Sequence, residues 1–531
     1  MAKEKALETV FLPSGFLRIP SYTTGMNAEG YVSDVIYTSH FFREQAPVVL
    51  NEVRRLRNLP EVPLSVPFTW CDLGCGTGYT AAVLAAANPT GHFWGVDFLP
   101  AHIEEARKTA GGLTNVTFVE SGFAEWWLTA QQAGLTFDFI TLHGVMSYVK
   151  EETRLLLQQM VQSLLKPDGT LYVSYNAEPG WAATAPVQRL LRTLAEGMPG
   201  TDSAQRLTQA AHRALALEKA GAAYFQQVPS AGERLEAVLA ADSNYPVHEY
   251  MSQQWHAFHH AEIAACFAAS GRVFLGSATM AENYPEHLLP PAQWALLRQE
   301  KDPACREMLR DFMVNTTFRR DVFGPASPAA RPQELSSPAS QWQFLPALPA
   351  AQWKKTLRTP AGLIDPQLAA AFPAAGQWTD LSPPLAECAL TAGLPLDRIH
   401  AAASFLVQTG QAFWITDPHA DPVPAQQFNL HMVRRVLQNQ PAEAFALPRC
   451  GTGISTGLLE RLAICSHLLE GHTTAAAIAG FLEETARRLG RTLRHQGTIL
   501  QDRTARLAML EPFASRFLHQ RWPLLKRWQV L

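Results

Sequence analysis

Apolar runs of strand length alternate with segments of helical period along the first part of the chain. Pro67–Asp72 reads as a strand, and Tyr79–Ala87 as a helix that opens directly after a glycine-rich turn. His92–Phe98 is a second strand and Pro100–Ala110 a second helix, with Pro100 near its first position, where a missing N–H costs nothing. Val116–Ser121 and Phe137–Val145 follow as strands, then a periodic helix over Glu151–Leu165 and a fifth strand over Gly169–Asn176. Strands alternating with helices at this spacing predict an α/β fold with a parallel, doubly wound sheet covered on both faces.

The pattern then changes. From Pro186 to about Ala240 it is helical throughout, after which His259–Met280 reads as a helix, a glycine turn and one more apolar strand. That is a further unit of the same sheet, so Trp181–Tyr250 is read as a helical insertion lying over the carboxyl ends of the strands, where ligands of open α/β sheets bind. Gly324–Pro349 carries six prolines together with Ser, Ala and Gln, the composition of a linker. Beyond it, Leu381–Pro418 reads helix, turn, helix and a β-rich Gln411–Asp417, a winged-helix-like order, and the remainder is mainly helical. The expected segments are an N-terminal lid (1–64), a core (65–180), an insertion with a returning strand (181–323), a linker (324–350) and a C-terminal winged-helix-like and helical domain (351–531).

Composition adds limits. The chain has 531 residues, 47% hydrophobic and 17% charged, with a formal net charge of −3; that balance gives no electrostatic reason to expect a nucleic-acid partner. Seven cysteines lack metal-type spacing. No apolar leader and no run long enough to span a membrane is evident. A cytoplasmic location without a membrane partner is the expectation. His256 and His260 are four apart, the spacing of paired metal ligands, but no third ligand stands at a telling distance, and no metal is expected. The segment in the recognition position of the winged helix, Leu396–Gly410, carries a single arginine, which suits a protein-contact or dimerisation module better than a base reader.

Chemistry enters at Asp72-Leu-Gly74-Cys75-Gly76-Thr-Gly78. Glycines after a strand allow a tight turn and close approach of a ligand. An acid ending the second strand, Asp97, can accept hydrogen bonds from ribose hydroxyls. The order G-x-G-x-G with an acid ahead differs from the dinucleotide fingerprint; Asp72 would repel a pyrophosphate and suits a cofactor that ends in a cationic amino acid.

These residues resemble the class I S-adenosylmethionine-dependent methyltransferases, with their Rossmann-like seven-stranded sheet. The resemblance implies S-adenosylmethionine as cofactor and S-adenosylhomocysteine as product. It places Gly74, Cys75, Gly76 and Gly78 under the methionine part, Asp72 near its amino group, Asp97 on the ribose and Phe98 against adenine. The family often has an acid after the third strand; here Ser121, Gly122 and Phe123 stand there instead. Tyr37–Pro47, Leu142–Val149, Tyr175–Trp181 and Asn244–Phe258 further resemble methyltransferases with a regulatory domain, a group that includes bacterial lysine methyltransferases of outer-membrane proteins. Methyl transfer from a sulfonium needs positioning and exclusion of water rather than a catalytic triad. Candidates for the acceptor pocket are His143, Tyr148, Tyr175, Asn176 and Trp181 at the strand tips and His248, Glu249 and Tyr250 in the insertion, with Glu249 pairing an incoming lysine. Tyr37 and Tyr31 would fold over the cofactor, and His143 borders both halves. A protein lysine is the leading acceptor, a small-molecule amine or hydroxyl the alternative, and a non-catalytic cofactor sensor the third reading.

Overall fold

The computed structural model describes residues 30–200, 202–241, 244–326, 341–359, 362–364, 367–378, 380–495 and 498–531. Its centre is a seven-stranded sheet of β1 (Phe68–Leu73), β2 (Gly91–Asp97), β3 (Val116–Glu120), β4 (Phe137–Leu142), β5 (Leu165–Asn176), β6 (Arg272–Ser277) and β7 (Phe318–Pro325). The strands lie in the order β3-β2-β1-β4-β5-β7-β6. Helices α1 (Pro47–Leu56), α2 (Tyr79–Ala87), α3 (Pro100–Ala110), α4 (Phe123–Gln132) and α5 (Glu151–Leu164) flank it.

The expectation of a parallel sheet is corrected at one edge. β7 runs antiparallel to both β5 and β6, so the sheet is mixed. Its sequence, Phe318-Arg-Arg-Asp-Val-Phe-Gly-Pro, hides a strand behind three charges. Two of those charges, Arg319 and Asp321, are buried in partnership. Arg319 Nε donates to Asp321 at 3.0 Å, Nη1 to Asp311 at 2.7 Å and Nη2 to Glu307 at 2.8 Å. His260 Nδ1 and the Tyr175 hydroxyl meet the same Asp321, at 2.9 and 2.5 Å. Buried ions persist only when paired in this way.

α2 is buried along its whole length, as a helix that is apolar all round must be. One face lies on the sheet and the other meets the C-terminal region. The Tyr79 hydroxyl accepts from the Ala444 N–H at 2.9 Å, and Asn88 Nδ2 donates to the Gly451 carbonyl at 3.0 Å. A single apolar cluster runs from α1 and α2 through Phe405, Phe428 and Leu462 to Trp528.

The proline-rich stretch is narrower than expected. Gly324 and Pro325 close β7, and Phe344–Pro346 forms a strand antiparallel to Ala412–Trp414; residues 327–340 lie outside the described set. Helices Leu385–Ala392 and Leu396–Gln408 precede that second strand. Leu396–Gln408, in the recognition position, is buried over Ile399, His400 and Ala402–Val407. It packs toward the core: the Ser404 hydroxyl donates to Glu52 at 2.6 Å, and His400 Nδ1 meets the Tyr284 hydroxyl at 2.6 Å.

Candidate active site at the carboxyl edge of the sheet

After β1 the chain turns through Gly74, Gly76 and Gly78 with φ of +84°, +53° and +63°, a region L-residues avoid. A Cβ on Gly74 would stand 2.7 Å from Val145 Cγ2, and one on Gly78 2.4 Å from the Phe118 ring. At Gly76 the nearest atom is Tyr37 Cδ1 at 3.9 Å. The bare face of Gly76 is therefore turned to open space.

Two carboxyls bracket this turn. Asp72 Oδ1 accepts from the Thr141 hydroxyl at 2.7 Å, and among the described residues its second oxygen has no hydrogen-bond partner. Burial pushes its carboxyl up to about 7; the charge of Asp97 adds to the rise and Thr141 opposes it. Asp97 accepts from the N–H groups of Gly76 and Leu99, each at 2.9 Å, and from His102 Nδ1 at 3.2 Å. His102 Nε2 accepts in turn from the Tyr37 N–H at 3.2 Å, which fixes the ring proton on Nδ1. Neither His102 nor Thr141 carried a sequence signal, because each matters only through the carboxylate it holds.

Tyr37 belongs to a strap that crosses the turn. The Gly30 carbonyl accepts from Gln253, the Ile36 carbonyl from Asn244, and the Phe42 N–H donates to the Thr80 hydroxyl at 3.0 Å. The Phe41 N–H donates to Glu443 at 2.8 Å. Tyr31 meets Phe98 edge-on at 6.0 Å, and Phe98 is 41% exposed. Ser121 borders the same opening, its hydroxyl on the Gly122 carbonyl at 3.1 Å, and Phe123 opens α4 directly after Gly122.

A second constellation stands beyond β4 and β5. Glu249, buried in the insertion, accepts four hydrogen bonds. Oε2 takes the hydroxyls of Tyr148 at 2.6 Å and Tyr245 at 2.8 Å; Oε1 takes Asn176 Nδ2 at 2.9 Å and Trp255 Nε1 at 2.6 Å. Four donors fill the acceptor sites of a carboxylate. The expected direct pairing of Glu249 with a lysine is corrected accordingly: no lone pair is left for it. Tyr245 and Trp255 were not singled out in the sequence, although they sit four residues before and six after Glu249. The i,i+4 step along helix Tyr245–Met251 was the available signal for Tyr245.

Tyr175 is also corrected. Successive strand residues face opposite ways, so Asn176 reaches the cavity while Tyr175 points under helix His260–Ala268, where it binds Asp321. His143 lines the cavity with Nδ1 held by the Tyr172 hydroxyl at 2.9 Å and its ring tilted against Phe42 at 3.8 Å. Burial pulls its pKa down to about 3, so it is neutral at physiological pH. Trp181 packs against Trp255 at 4.9 Å and carries the Arg234 guanidinium 3.8 Å above its ring. His248 is buried between Tyr31 and Tyr37, and Tyr250 packs on Trp181. His260 is committed to Asp321, while His256 lies before the helix against Phe258. Among the described residues no group of metal-ligating side chains assembles.

Both constellations open into one cavity of about 3340 Å³. Its walls include Tyr37 of the strap, the glycine turn, Tyr148, Asn176 and Glu249, and also Glu443, Arg461 and Arg491 from the C-terminal region. No motif or periodicity marks residues so distant as neighbours of the same space. No helix among the described residues is long and apolar enough to cross a membrane.

Comparison with known proteins matches this geometry. The family described as a methyltransferase domain covers residues 66–218, and the predicted methyltransferase regulatory domain covers 242–324. The uncharacterized protein sll1526 of Synechocystis is 30% identical over 94% of this chain and 98% of its own length. A trans-aconitate 2-methyltransferase of Methylobacterium radiotolerans is 32% identical over 27% of this chain and 49% of its own length. The solved structure of PKMT2 from Rickettsia typhi in complex with AdoHcy has the same fold, with a TM-score of 0.65 at 18% identity. It covers 93% of this chain and 99% of its own.

Proposed function

The chain belongs to the class I S-adenosylmethionine-dependent methyltransferases that carry a regulatory domain, and from that premise we propose that its acceptor is the side-chain amine of a lysine in a protein. The observation that carries this reading is the cavity. At about 3340 Å³ it is several times the ~300–1,000 Å³ of an ordinary small-molecule site, and it is walled by four parts of the chain. A cofactor alone leaves most of that space for a segment of polypeptide.

The residues at the glycine turn fit the cofactor. Among the described residues, Asp72 is a buried carboxyl with a free oxygen and no cation beside it, which an α-ammonium group would complete. Asp97 keeps one acceptor position beyond its three present donors and takes a ribose hydroxyl there. Gly76 leaves open the space that a Cβ would fill. Tyr37 covers this half, Cys75 and Gly74 floor it, and Phe98, Ser121, Gly122 and Phe123 border the adenine end. S-adenosylmethionine supplies, when bound, a methyl group on a sulfonium whose carbon–sulfur bond breaks as the acceptor attacks.

The protein's own task is to present an unprotonated amine. A lysine of ordinary pKa ~10.4 must first give up a proton to water. Tyr148 and Trp181, together with the half-exposed Tyr245, supply an aromatic surround that disfavours the charged form before attack and contacts the methylammonium product by its ring faces. His143 stays neutral and lines the cavity rather than taking the proton.

Incubating the purified protein with methyl-labelled cofactor and a lysate of its host tests the proposal. Label in protein bands, mapped to lysines that have gained one methylene, is the expected result. Label recovered in metabolites alone would refute it.

A further inference from the structure

The saturation of Glu249 has a chemical effect on its neighbours. A hydroxyl has one proton to give. Tyr148 and Tyr245, which both line the cavity, give theirs to Glu249 Oε2 at 2.6 and 2.8 Å, so each phenolic oxygen can serve a further partner only as an acceptor. Neither can turn round to donate without leaving a buried carboxylate short of a partner, which is costly. Asn176 and Trp255 hold the other carboxylate oxygen and prevent Glu249 from rotating to release them. Asn176 Nδ2 also donates to the Tyr148 oxygen at 3.2 Å, leaving that oxygen one further acceptor position. Both hydroxyls share one carboxylate oxygen, which keeps their own oxygens within two hydrogen-bond lengths of each other.

We propose that Glu249 is a positioning residue that locks Tyr148 and Tyr245 as paired hydrogen-bond acceptors, and that this pair selects a primary amine and limits how many methyl groups it receives. This rests on the lysine reading above and adds to it. A neutral primary amine has two N–H bonds and one lone pair. With one N–H on each phenolic oxygen, its lone pair is directed away from the pair and is free to attack. In the transfer the lone pair forms the new carbon–nitrogen bond, the carbon–sulfur pair stays on sulfur, and the proton shed before attack has gone to water. A monomethylated amine retains a single N–H in its nucleophilic form. It satisfies one oxygen and sets a methyl group against the other. A dimethylated amine satisfies neither. Each added methyl thus removes a hydrogen bond and leaves an acceptor unpaired, so monomethyllysine is the main product. The same pair disfavours a carboxylate acceptor, whose oxygens need donors that the two phenols cannot supply.

The test uses poly-L-lysine with S-adenosylmethionine and the full-length protein. Mono-, di- and trimethyllysine are measured by amino-acid analysis for the parent, Tyr245→Phe, Tyr148→Phe and Glu249→Gln proteins. Expected is a mainly monomethyl product for the parent and at least a threefold rise in the di-to-mono ratio for each Tyr→Phe variant. Glu249→Gln, whose amide donates where the carboxylate accepted, is expected to lower transfer and blur the ratio. Melting temperature and S-adenosylhomocysteine affinity by calorimetry show whether each variant is folded with an intact cofactor half. Calorimetry with Nα-acetyl-lysine methylamide and its Nζ-dimethyl form, in the presence of S-adenosylhomocysteine, gives a readout apart from turnover. The parent should bind the unmethylated form at least threefold more tightly, and Tyr245→Phe should narrow the gap. Methyl transfer with the same product ratio in folded parent and Tyr→Phe proteins overturns this inference and leaves the lysine reading intact. No transfer to any lysine overturns both.

Discussion

Asp72 is the residue at which charge and burial are most at odds. Its carboxyl has an ordinary value of 3.8 and is pushed up to about 7 by burial. The folded state therefore holds a proton that the unfolded chain releases, and this group's contribution to stability falls as pH rises from 3.8 to about 7, then levels off. Cofactor binding has the opposite sign, because a cationic amino group favours the ionised carboxyl. Affinity for S-adenosylhomocysteine is expected to tighten through the same window, by up to ~tenfold per pH unit for one linked proton, and to flatten above it. Asp72→Asn should remove the slope; calorimetry across pH 5 to 8 checks it. The motif around Asp72 was legible because glycines at positive φ and an acid at a strand tip are demands of the backbone. The roles of Thr141 and His102 were not legible, since hydrogen bonds to a carboxylate leave no periodic trace. Glu249 shows the further limit: its residue type suggested a lysine partner, and only its four neighbours show that its bonds are already spent.

At the scale of elements, β1 to β5 and the helices α2, α3 and α5 follow the apolar pattern closely, with α2 and α3 falling on the expected residues, whereas α4 was not read from it. β7 escaped because it contradicts the rule that a central strand reads as apolar. Its Arg319 is fully buried among Asp321, Asp311 and Glu307. Arg319→Ala should leave those carboxylates without a counter-charge and cost about 3–5 kcal/mol, read as a lowered denaturation midpoint. A variant that replaced the whole network with apolar residues of similar volume should lose much less. Tyr175 was misassigned for a related reason: parity along a strand decides its face, and the last residue before the turn, Asn176, is the one that reaches the cavity.

At the scale of the molecule, the C-terminal region shares its apolar cluster with α1 and α2 and closes one side of the cavity. Glu443 joins it to the strap through the Phe41 N–H and His40 Nδ1, at 2.8 and 2.6 Å. Glu443→Ala should leave the melting temperature within a degree or two, because the pair is partly exposed. It should nevertheless speed amide exchange at residues 37–42 severalfold and weaken cofactor affinity to a similar extent. Unchanged exchange there would show that the strap is held by its core contacts alone. None of this union was legible, because contacts between residues about 400 apart depend on surfaces that exist only after each part has folded.

The separation in sequence also orders events during synthesis. A chain emerging from the ribosome has every strand of its sheet by Pro325, yet the side of the cavity that Glu443, Arg461 and Arg491 complete is still unmade. Until those positions arrive, α2 keeps an oily flank bare to solvent. The finished cavity wall and the cover for that apolar flank therefore arrive together, late in translation.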